Sequence, residues 1–328
     1  MKALVTGGGG FLGKAIVQRL LARGDTVQSF SRGDYPELRA LGATNHRGDL
    51  ADTNAVRRAA EGCDLVFHVA ARPGIWGPYE EYYRTNVVGT ESVLAACRHW
   101  GIARLVFTST PSVVFNGKDQ EGIDESTPYP EHYHAYYPQT KAIAERAVLK
   151  ANDSRLATVA LRPHLIWGPG DHHLIPRILA RARAGKLRRI GTRDNLVDCV
   201  YIDNAADAHL LAADRLAPGA PIAGKAYFLS QGEPWPLWDL INCILKAADL
   251  PPVTRTISPR LAYAAGWALE MLYRCLVLPG EPRMTRFLAE ELSTAHWFNI
   301  DAARRDLGYR PTMSIEEGMR RLEESLKS

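Results

Sequence analysis

The stretch from Thr6 to Gly13, with four consecutive glycines, constrains the fold of this chain more than any other part of the sequence. The apolar residues 3–5 lead into the glycines, and apolar residues recur at helical spacing from Phe11 onward. This order predicts a strand, a glycine turn and a helix, and residues 26–30 predict a second strand parallel to the first. Because glycines lack Cβ atoms, such a turn lets the backbone and a helix N-terminus approach a pyrophosphate.

The spacing of the glycines indicates a nucleotide site. Gly8-x-Gly10-x-x-Gly13 satisfies the general dinucleotide fingerprint, and Gly7, Gly10 and Gly13 also fit the variant Gly-x-x-Gly-x-x-Gly. A turn with only a structural role would need one or two glycines. We therefore predict an α/β fold with a doubly wound, Rossmann-type parallel sheet that binds a dinucleotide.

The end of the second strand decides between the two nicotinamide cofactors. An acidic residue there bonds the ribose 2′-OH of NAD, whereas an arginine suits the 2′-phosphate of NADP. This chain has Ser31 and Arg32 at that place, which predicts NADP(H). Two alternatives stay open, since Asp34 could still take the ribose and Arg32 could be an ordinary solvated residue.

Composition and charge exclude several classes of protein. The 328 residues are 46% hydrophobic and 23% charged, which excludes a disordered or collagen-like chain. The net charge of +4 comes from interleaved acids and bases, so no nucleic acid partner is expected. The five cysteines lack metal-ligand spacing and predict reduced thiols in a cytoplasmic protein without a metal site. The first strand begins at Lys2, so no signal peptide is expected.

Residues 261–279 form the one stretch that suggests a membrane. Glu270 and Arg274 interrupt it, and a transmembrane helix needs at least about 18 consecutive apolar residues, so no transmembrane segment is expected. We predict a helix that is buried on one side, with contact to a lipid surface as the alternative.

Two more strand ends are expected at the cofactor. Residues 44–47 predict a third strand, after which Asp49 either bonds the adenine amino group or caps a helix. The next apolar run is typical of a central parallel strand, and Ala70 and Ala71 at its end leave room for the cofactor. His68 within this run is expected to be a core residue rather than a catalytic one.

Asn86 lies inside a helix predicted over residues 80–100. Asparagine is a poor helix former, so its presence indicates a polar task such as a hydrogen bond to backbone near the active site. Residues 104–108 predict a buried strand, and hydroxyl groups follow it at the edge where open α/β sheets bind ligands. These hydroxyls belong to Thr108, Ser109, Thr110 and Ser112.

Tyr137 and Lys141 are four residues apart in a predicted helix and therefore share one face of it. An ammonium group beside a phenol stabilises the phenolate and lowers the pKa of tyrosine from about 10, which makes the tyrosine a usable general acid. One of the preceding hydroxyls could donate to the oxygen that becomes negative in the transition state.

The second half of the chain predicts strands at 156–161, 197–203 and 226–229 and helices at 237–248, 259–278 and 285–292. From residue 234 onward, helices with proline breaks replace the alternation of strand and helix. We predict a dinucleotide-binding domain over residues 1–161, to which residues 196–230 return, and a smaller, interwoven substrate lobe over residues 162–195 and 231–328.

These motifs, in their order along the chain, resemble those of the extended short-chain dehydrogenase/reductase family. The matching stretches are Thr6-Gly7-x-x-Gly10-x-x-Gly13, Gly48-Asp49-Leu50, Ala70-Ala71, Asn86-Val87-x-Gly89-Thr90, Thr108-Ser109-Thr110, Tyr137-x-x-x-Lys141 and Arg162-Pro163-x-x-x-x-Gly168-Pro169-Gly170-Asp171. Within the family, residues 200–205 are similar to those of the 3β-hydroxysteroid and sterol-4α-carboxylate dehydrogenases.

The resemblance implies Tyr137, Lys141 and Thr110 as the catalytic residues. Thr110 stands where the family has a serine, and Ser109 and Ser112 stay open as hydroxyl donors. The implied cofactor contacts are Gly7, Gly10, Phe11, Leu12, Gly13, Ser31, Arg32, Asp49, Leu50, Ala70, Ala71, Asn86, Tyr137, Lys141 and Pro163.

Residues 32–38, 108–114, 161–171, 280–282 and 285–289 carry a closer resemblance, to the bacterial 2-alkyl-3-oxoalkanoate reductases of long-chain olefin biosynthesis. It implies NADPH-dependent reduction of a lipid-like 2-alkyl-3-ketoacid, with partner enzymes of that pathway in an assembly and a homodimeric enzyme. The alternatives are a 3β-hydroxysteroid or sterol-acid dehydrogenase and a cofactor sensor without catalysis. Trp76, Tyr79, Phe115 and Trp167 are candidates to line a long apolar pocket.

Overall fold

The computed structural model describes residues 1–327, which form fifteen strands and thirteen α-helices. The strands are β1 (Lys2–Thr6), β2 (Thr26–Ser31), β3 (Thr44–Arg47), β4 (Leu65–His68), β5 (Arg104–Thr108), β6 (Gln120–Ile123), β7 (Ala157–Pro163), β8 (Ile166–Trp167), β9 (Arg189–Ile190), β10 (Leu196–Val197), β11 (Val200–Tyr201), β12 (Lys225–Leu229), β13 (Trp235–Pro236), β14 (Thr256–Ile257) and β15 (His296–Phe298). The helices are α1 (Phe11–Ala22), α2 (Pro36–Ala40), α3 (Thr53–Ala59), α4 (Tyr79–Tyr82), α5 (Gly89–Trp100), α6 (Tyr136–Lys150), α7 (Leu174–Arg183), α8 (Ile202–Arg215), α9 (Leu237–Ala247), α10 (Pro259–Cys275), α11 (Arg286–Glu291), α12 (Asp301–Leu307) and α13 (Ile315–Lys327). A π-helical turn (Tyr83–Val88) joins α4 to α5, and a 3-10 turn covers Pro111–Val114.

Seven parallel strands form the central sheet in the order β3-β2-β1-β4-β5-β7-β12. The order runs outward from β1 in both directions, which is the doubly wound arrangement predicted from the sequence. Helices α1 and α8 pack together on one side, and α3, α5 and α6 form a second layer. The carboxyl ends of β1 and β4 border the crevice in which sheets of this kind bind ligands.

The predicted strand over residues 197–203 is wrong. The chain makes two short strands there instead, β10 and β11, and they belong to different small sheets. Asp198 between them is buried, and its Oδ2 accepts a hydrogen bond from the Phe298 amide at 2.8 Å. This bond draws the chain toward β15, and α8 begins already at Ile202.

Six short strands arise where the sequence predicts none, namely β6, β8, β9, β13, β14 and β15. β6 lies between the strand predicted at 104–108 and the predicted helix that carries Tyr137, and β15 lies in the region expected to be helical. They pair parallel with each other and join β10 and β13 in a four-stranded sheet.

The hydrophobic core is continuous between the central sheet and the C-terminal helices. One cluster of buried side chains contains Val5 and Ile16 of the first βα unit together with Ile241 of α9 and Leu322 of α13. Helices α7 and α9 pack against each other, and buried apolar side chains of both belong to the same core. The carboxyl edge of the sheet and the start of α7 border the cleft described next.

Candidate active site

The glycine turn between β1 and α1 has no room for side chains. Gly7 has a φ of +72°, and a Cβ atom there would lie 2.9 Å from the Ala70 Cα. A Cβ atom on Gly13 would lie 2.0 Å from the Gly7 carbonyl oxygen. Both distances are shorter than real Cβ contacts, so the turn, the helix and the end of β4 can pack this closely only with glycine.

The N-terminus of α1 is open toward the cleft. Gly10 is its N-cap residue, and no side chain caps the helix. Its first N–H groups therefore lack a capping acceptor, and the positive end of the helix dipole points into the cleft. A phosphate group satisfies both needs, so the residues present fit the pyrophosphate of a dinucleotide.

One cleft of about 510 Å³ runs from this turn to the end of β5. It is lined by most of the residues that the sequence predicts at the cofactor. These are Gly7, Gly10, Phe11, Leu12, Gly13, Ser31, Arg32, Asp49, Leu50, Ala70, Ala71, Tyr137 and Pro163, together with Ser109 and Thr110. Asn86 and Lys141 lie behind this surface, where both side chains are buried.

The residues after β2 divide into two groups. Ser31 and Arg32 line the cleft, whereas the Asp34 carboxylate is turned away and paired with Arg39. Asp34 also accepts a hydrogen bond from the Asn45 amide at 3.4 Å. The one acidic residue that could compete for the ribose is therefore engaged elsewhere.

Asp49 lines the cleft at the end of β3. Its Oδ1 accepts a hydrogen bond from the Ala51 amide at 2.9 Å, and its Oδ2 lies 3.0 Å from the Arg84 guanidinium. The first of these bonds does most to hold the pKa of Asp49 below its usual range. The alternative prediction that Asp49 caps α3 is wrong, because Asp52 accepts the bonds from the first helical amides.

Asn86 makes hydrogen bonds to backbone, as its place in a helix predicts. Its Oδ1 accepts a hydrogen bond from the Arg72 amide at 2.7 Å. Its Nδ2 donates to the Arg72 carbonyl at 3.2 Å and to the Thr140 hydroxyl at 3.0 Å. The side chain thus ties the loop after β4 to α6. It lies on the π-helical turn, which the sequence does not predict.

His68 is a core residue, as expected. Its Nδ1 lies 2.8 Å from the Thr6 hydroxyl and its Nε2 lies 2.9 Å from the Thr90 hydroxyl. Burial lowers the pKa of His68 to about 3, so the ring is neutral and acts as a link between β1, β4 and α5.

Tyr137 and Thr110 face each other across the end of the cleft. Burial raises the pKa of Tyr137 to about 12, and a hydrogen bond with Thr110 opposes this rise. Ser109 also lines the cleft, whereas Ser112 is not part of the lining and accepts a hydrogen bond from the Thr110 hydroxyl at 3.2 Å. Thr110 is therefore the hydroxyl nearest to Tyr137, with Ser109 as the remaining alternative at the cleft surface.

Lys141 lies one helical turn beyond Tyr137. Its Nζ donates a hydrogen bond to the Thr108 carbonyl at 2.6 Å and lies 4.0 Å from the centre of the Phe107 ring. Burial lowers the pKa of Lys141 to about 7, and the carboxylate of Glu145 opposes this shift. The sequence predicts that this ammonium lowers the pKa of Tyr137, which is wrong for this structure: the ammonium binds the end of β5, and burial raises the pKa of Tyr137.

A buried ion pair between Glu145 and Arg162 attaches α6 to β7. Glu145 accepts two hydrogen bonds from Arg162, at 2.6 and 3.0 Å, and one from the Tyr129 hydroxyl at 2.6 Å. Burial by itself would raise the pKa of Glu145, but the bonds from Arg162 hold it below its usual range. Tyr137, Lys141 and Glu145 thus form one face of α6.

Three further residues line the cleft although the sequence analysis assigns them no contact with the cofactor; they are Tyr35, Leu165 and Asp171. The Tyr35 ring packs so closely over Gly9 that a Cβ atom there would lie 2.2 Å from it. Asp171 caps α7 by accepting hydrogen bonds from three backbone amides. Leu165 reaches the cleft from a left-handed backbone conformation with a φ of +41°.

A second cavity of about 560 Å³ lies between α10 and residues 75–82. Trp76 and Tyr79 line it, as expected for an apolar pocket. Phe115 and Trp167, the other two aromatic candidates, are buried in the core instead. Among residues 1–327, no group of three or more His, Cys, Asp or Glu side chains is placed to hold a metal ion. None of the helices described has the length and apolar character needed to cross a bilayer.

The uncapped helix above a glycine turn, at the switch point of a doubly wound sheet, defines a dinucleotide-binding protein of the Rossmann type. Residues 4–260 match the 3-beta hydroxysteroid dehydrogenase/isomerase family, and the chain belongs to this family. It is accordingly an oxidoreductase that acts on hydroxyl and keto groups with a nicotinamide dinucleotide.

Full-length relatives agree with this assignment. The chain is 55% identical to a 2-alkyl-3-oxoalkanoate reductase of Stenotrophomonas maltophilia, with 99% of both chains covered. It is 35% identical to a decarboxylating sterol-4-alpha-carboxylate 3-dehydrogenase of Mus musculus, with 99% of this chain and 90% of the relative covered.

The fold is also that of a solved epimerase. The UDP-glucose 4-epimerase of Thermus thermophilus, whose crystal structure contains NAD, superposes with a TM-score of 0.76. The superposition covers 100% of this chain and 99% of the epimerase at 24% identity. The sequences are too different for this likeness to show more than the fold.

Proposed function

We propose that this chain is an NADPH-dependent reductase that converts a long-chain 2-alkyl-3-oxoalkanoate to the 2-alkyl-3-hydroxyalkanoate. The observation that carries the proposal is the 55% identity with the Stenotrophomonas maltophilia reductase along 99% of both chains. The sterol dehydrogenases are more distant relatives, at 35% identity or less. Homodimerisation and assembly with other enzymes of olefin biosynthesis stay predictions from the resemblance.

The preference for NADPH is supported by the residues that follow β2. Arg32 lines the cleft and makes no ion pair within residues 1–327, so its guanidinium is free to meet a 2′-phosphate. Ser31 lies beside it, while Asp34 is bound to Arg39. At the other end, the glycine turn and the start of α1 hold the pyrophosphate.

The chemistry at the end of the cleft follows from three side chains. A nicotinamide held at this end of the cleft would supply the hydride that the keto carbon needs. Tyr137 is protonated at neutral pH, and burial raises its pKa further, to about 12; it gives its proton to the oxygen that gains negative charge. Thr110 donates a hydrogen bond to the same oxygen, and Lys141 stabilises the phenolate that remains.

The test is a comparison of substrates with the purified protein. We expect NADP⁺ reduction with long-chain 2-alkyl-3-hydroxyalkanoates, and NADPH oxidation with the corresponding ketoacids, to be much faster than turnover of a panel of 3-hydroxysteroids. Faster turnover of the steroids would favour the sterol dehydrogenase, and no turnover with any ketone or alcohol would favour a cofactor sensor.

Two variants test the assignment of the acid. Tyr137→Phe should lower turnover by about a hundredfold or more and change NADPH affinity little, because the ring is kept and only the proton donor is lost. Tyr83→Phe, which removes a hydroxyl outside the cleft, serves as the control and should behave like the wild type. Equal turnover of Tyr137→Phe and the wild type would exclude Tyr137 as the acid.

A further inference from the structure

Gly9 stands at a position of the glycine turn that needs no glycine for a dinucleotide. In Gly8-x-Gly10-x-x-Gly13 and in Gly7-x-x-Gly10-x-x-Gly13 alike, residue 9 is an unspecified position. Its backbone is also outside the left-handed region that favours glycine. Neither the fingerprint nor the backbone conformation therefore explains why residue 9 is a glycine.

The ring of Tyr35 explains it. A Cβ atom on Gly9 would lie 2.2, 2.3 and 2.4 Å from the Cε2, Cζ and Cδ2 atoms of this ring. A Cβ atom on Gly33 would lie 3.1 Å from the same ring and from its hydroxyl oxygen, and Gly33 has no left-handed conformation either. Two glycines thus make room for one aromatic ring, which lies between the glycine turn and the loop after β2.

The backbone of Tyr35 is fixed at the start of α2. Its carbonyl accepts a hydrogen bond from the Leu38 amide at 3.0 Å, and Pro36 is the first residue of the helix. The preceding side chain, that of Asp34, is paired with Arg39, whereas the Tyr35 side chain lines the cleft. The hydroxyl group of Tyr35 makes no hydrogen bond to another residue within 1–327, so it is available to a ligand.

Two other donors border the same end of the cleft. Ser31 is 9% exposed, and its Oγ accepts a hydrogen bond from the Gly9 amide at 3.4 Å, which leaves the hydroxyl hydrogen free to donate. The Arg32 carbonyl accepts a hydrogen bond from Arg47 Nε at 3.0 Å. This bond holds the backbone of Arg32, while its unpaired guanidinium lines the cleft. Two hydroxyls and a guanidinium therefore surround the position above Gly9.

We propose that Tyr35 is a second residue that selects NADPH, by donating a hydrogen bond from its hydroxyl to the 2′-phosphate. This step rests on the proposed function, which uses NADPH. A phosphate monoester has three terminal oxygens that accept hydrogen bonds. The planar guanidinium of Arg32 binds two of them side by side, which leaves the third to hydroxyl donors.

The two glycines give Tyr35 an advantage in this role. They let the ring rest on the turn before any ligand binds, so little side-chain entropy is lost when the hydroxyl meets a phosphate. NADH has a neutral hydroxyl group in place of the 2′-phosphate. Because hydrogen bonds to charged groups are stronger than those between neutral groups, the Tyr35 hydroxyl favours NADPH over NADH.

The test is a calorimetric titration of four ligands, which are NADPH, NADH, adenosine 2′,5′-bisphosphate and 5′-AMP. The last two lack the nicotinamide and differ from each other only in the 2′-phosphate. Tyr35→Phe should weaken the binding of NADPH and of the bisphosphate by about tenfold or more, because a hydrogen bond to a charged group is lost. Its binding of NADH and 5′-AMP should hardly change. Tyr83→Phe, which removes a phenol hydroxyl outside the cleft, is the matched control and should equal the wild type with all four ligands.

Three results would overturn the proposal. If Tyr35→Phe binds all four ligands like the wild type, the ring only packs on Gly9, because phenylalanine keeps that packing. If it binds all four more weakly by the same factor, the hydroxyl acts on another part of the adenosine. A wild type that binds NADH as tightly as NADPH would remove the preference itself. Since the titrations contain no ketoacid, a failure to reduce 2-alkyl-3-ketoacids would contradict the proposed function without changing these affinities.

Discussion

The ammonium nitrogen of Lys141 lies 2.6 Å from the backbone carbonyl oxygen of Thr108 and joins α6 to the end of the central strand β5. The side chain is 2% exposed, and its surroundings include the neutral His68 ring and the Phe107 ring. Because the pKa of Lys141 falls to about 7 in this site, the folded chain holds this proton less firmly than the unfolded chain does.

This difference makes stability depend on pH in a defined window. Between pH 7 and the usual lysine pKa of 10.5, the unfolded chain binds more protons than the folded chain, so the free energy of unfolding rises with pH. Between pH about 7 and about 9.5, we expect the free energy of unfolding of the wild type to rise by up to about 3 kcal/mol relative to that of Lys141→Met. Urea denaturation of both proteins at the two pH values measures this gain. Lys150→Met, at the exposed end of the same helix, should show no such gain, and a wild-type advantage independent of pH would contradict the lowered pKa.

Arg32 should decide cofactor choice. Replacing it by alanine removes a charge-assisted hydrogen bond to the 2′-phosphate, which is worth about 1.5–3 kcal/mol. We expect Arg32→Ala to weaken NADPH binding by about 10- to 100-fold and NADH binding hardly at all. Fluorescence titration with both cofactors measures the two affinities, and Arg58→Ala, on α3 outside the cleft, is the control. Wild-type protein that binds NADH as tightly as NADPH would refute the assignment.

Asn86 should stabilise both the fold and the cofactor site. Asn86→Ala leaves the Arg72 amide and carbonyl without their partner inside the protein, which costs about 1–3 kcal/mol of unfolding free energy. The loop that Asn86 holds includes Ala71, so NADPH affinity should fall together with stability. Urea denaturation and cofactor titration measure the two effects. Asn54→Ala, at an exposed position of α3, should change neither, and the same small effect of both substitutions would show that Asn86 is dispensable.

The central sheet and the glycine turn could be predicted because their signals are local. Buried parallel strands are continuous apolar runs, and each is followed by a helix with its own periodicity. The pairing of β6 with β15 joins segments more than 170 residues apart through strands of three and four residues, which leave no periodic pattern. The same is true of β10 and β11, where the buried Asp198 redirects a run that reads as one strand.

The residues of the candidate site also divide into those with a local sequence signal and those placed only by tertiary packing. Tyr137, Lys141 and the hydroxyls after β5 could be predicted from their spacing and from the strand end that precedes them. Tyr35 and Leu165 enter the cleft only through tertiary packing, Tyr35 by covering Gly9 and Leu165 through an unusual backbone conformation. The hydrogen-bond acceptor of Lys141 is a main-chain carbonyl, that of Thr108, and such a partner has no sequence signature.

The π-helical turn at Tyr83–Val88 has a consequence for the length of this segment. A π turn closes its hydrogen bonds one residue further along than an α turn, so the helix between Tyr79 and Trp100 contains in effect one inserted residue. Deleting one residue of this turn would restore a regular α-helix and remove the local geometry in which Asn86 binds the Arg72 backbone. Single residues along this helix can therefore be substituted. The number of residues in it cannot change, because the π turn keeps Asn86 in contact with the loop after β4.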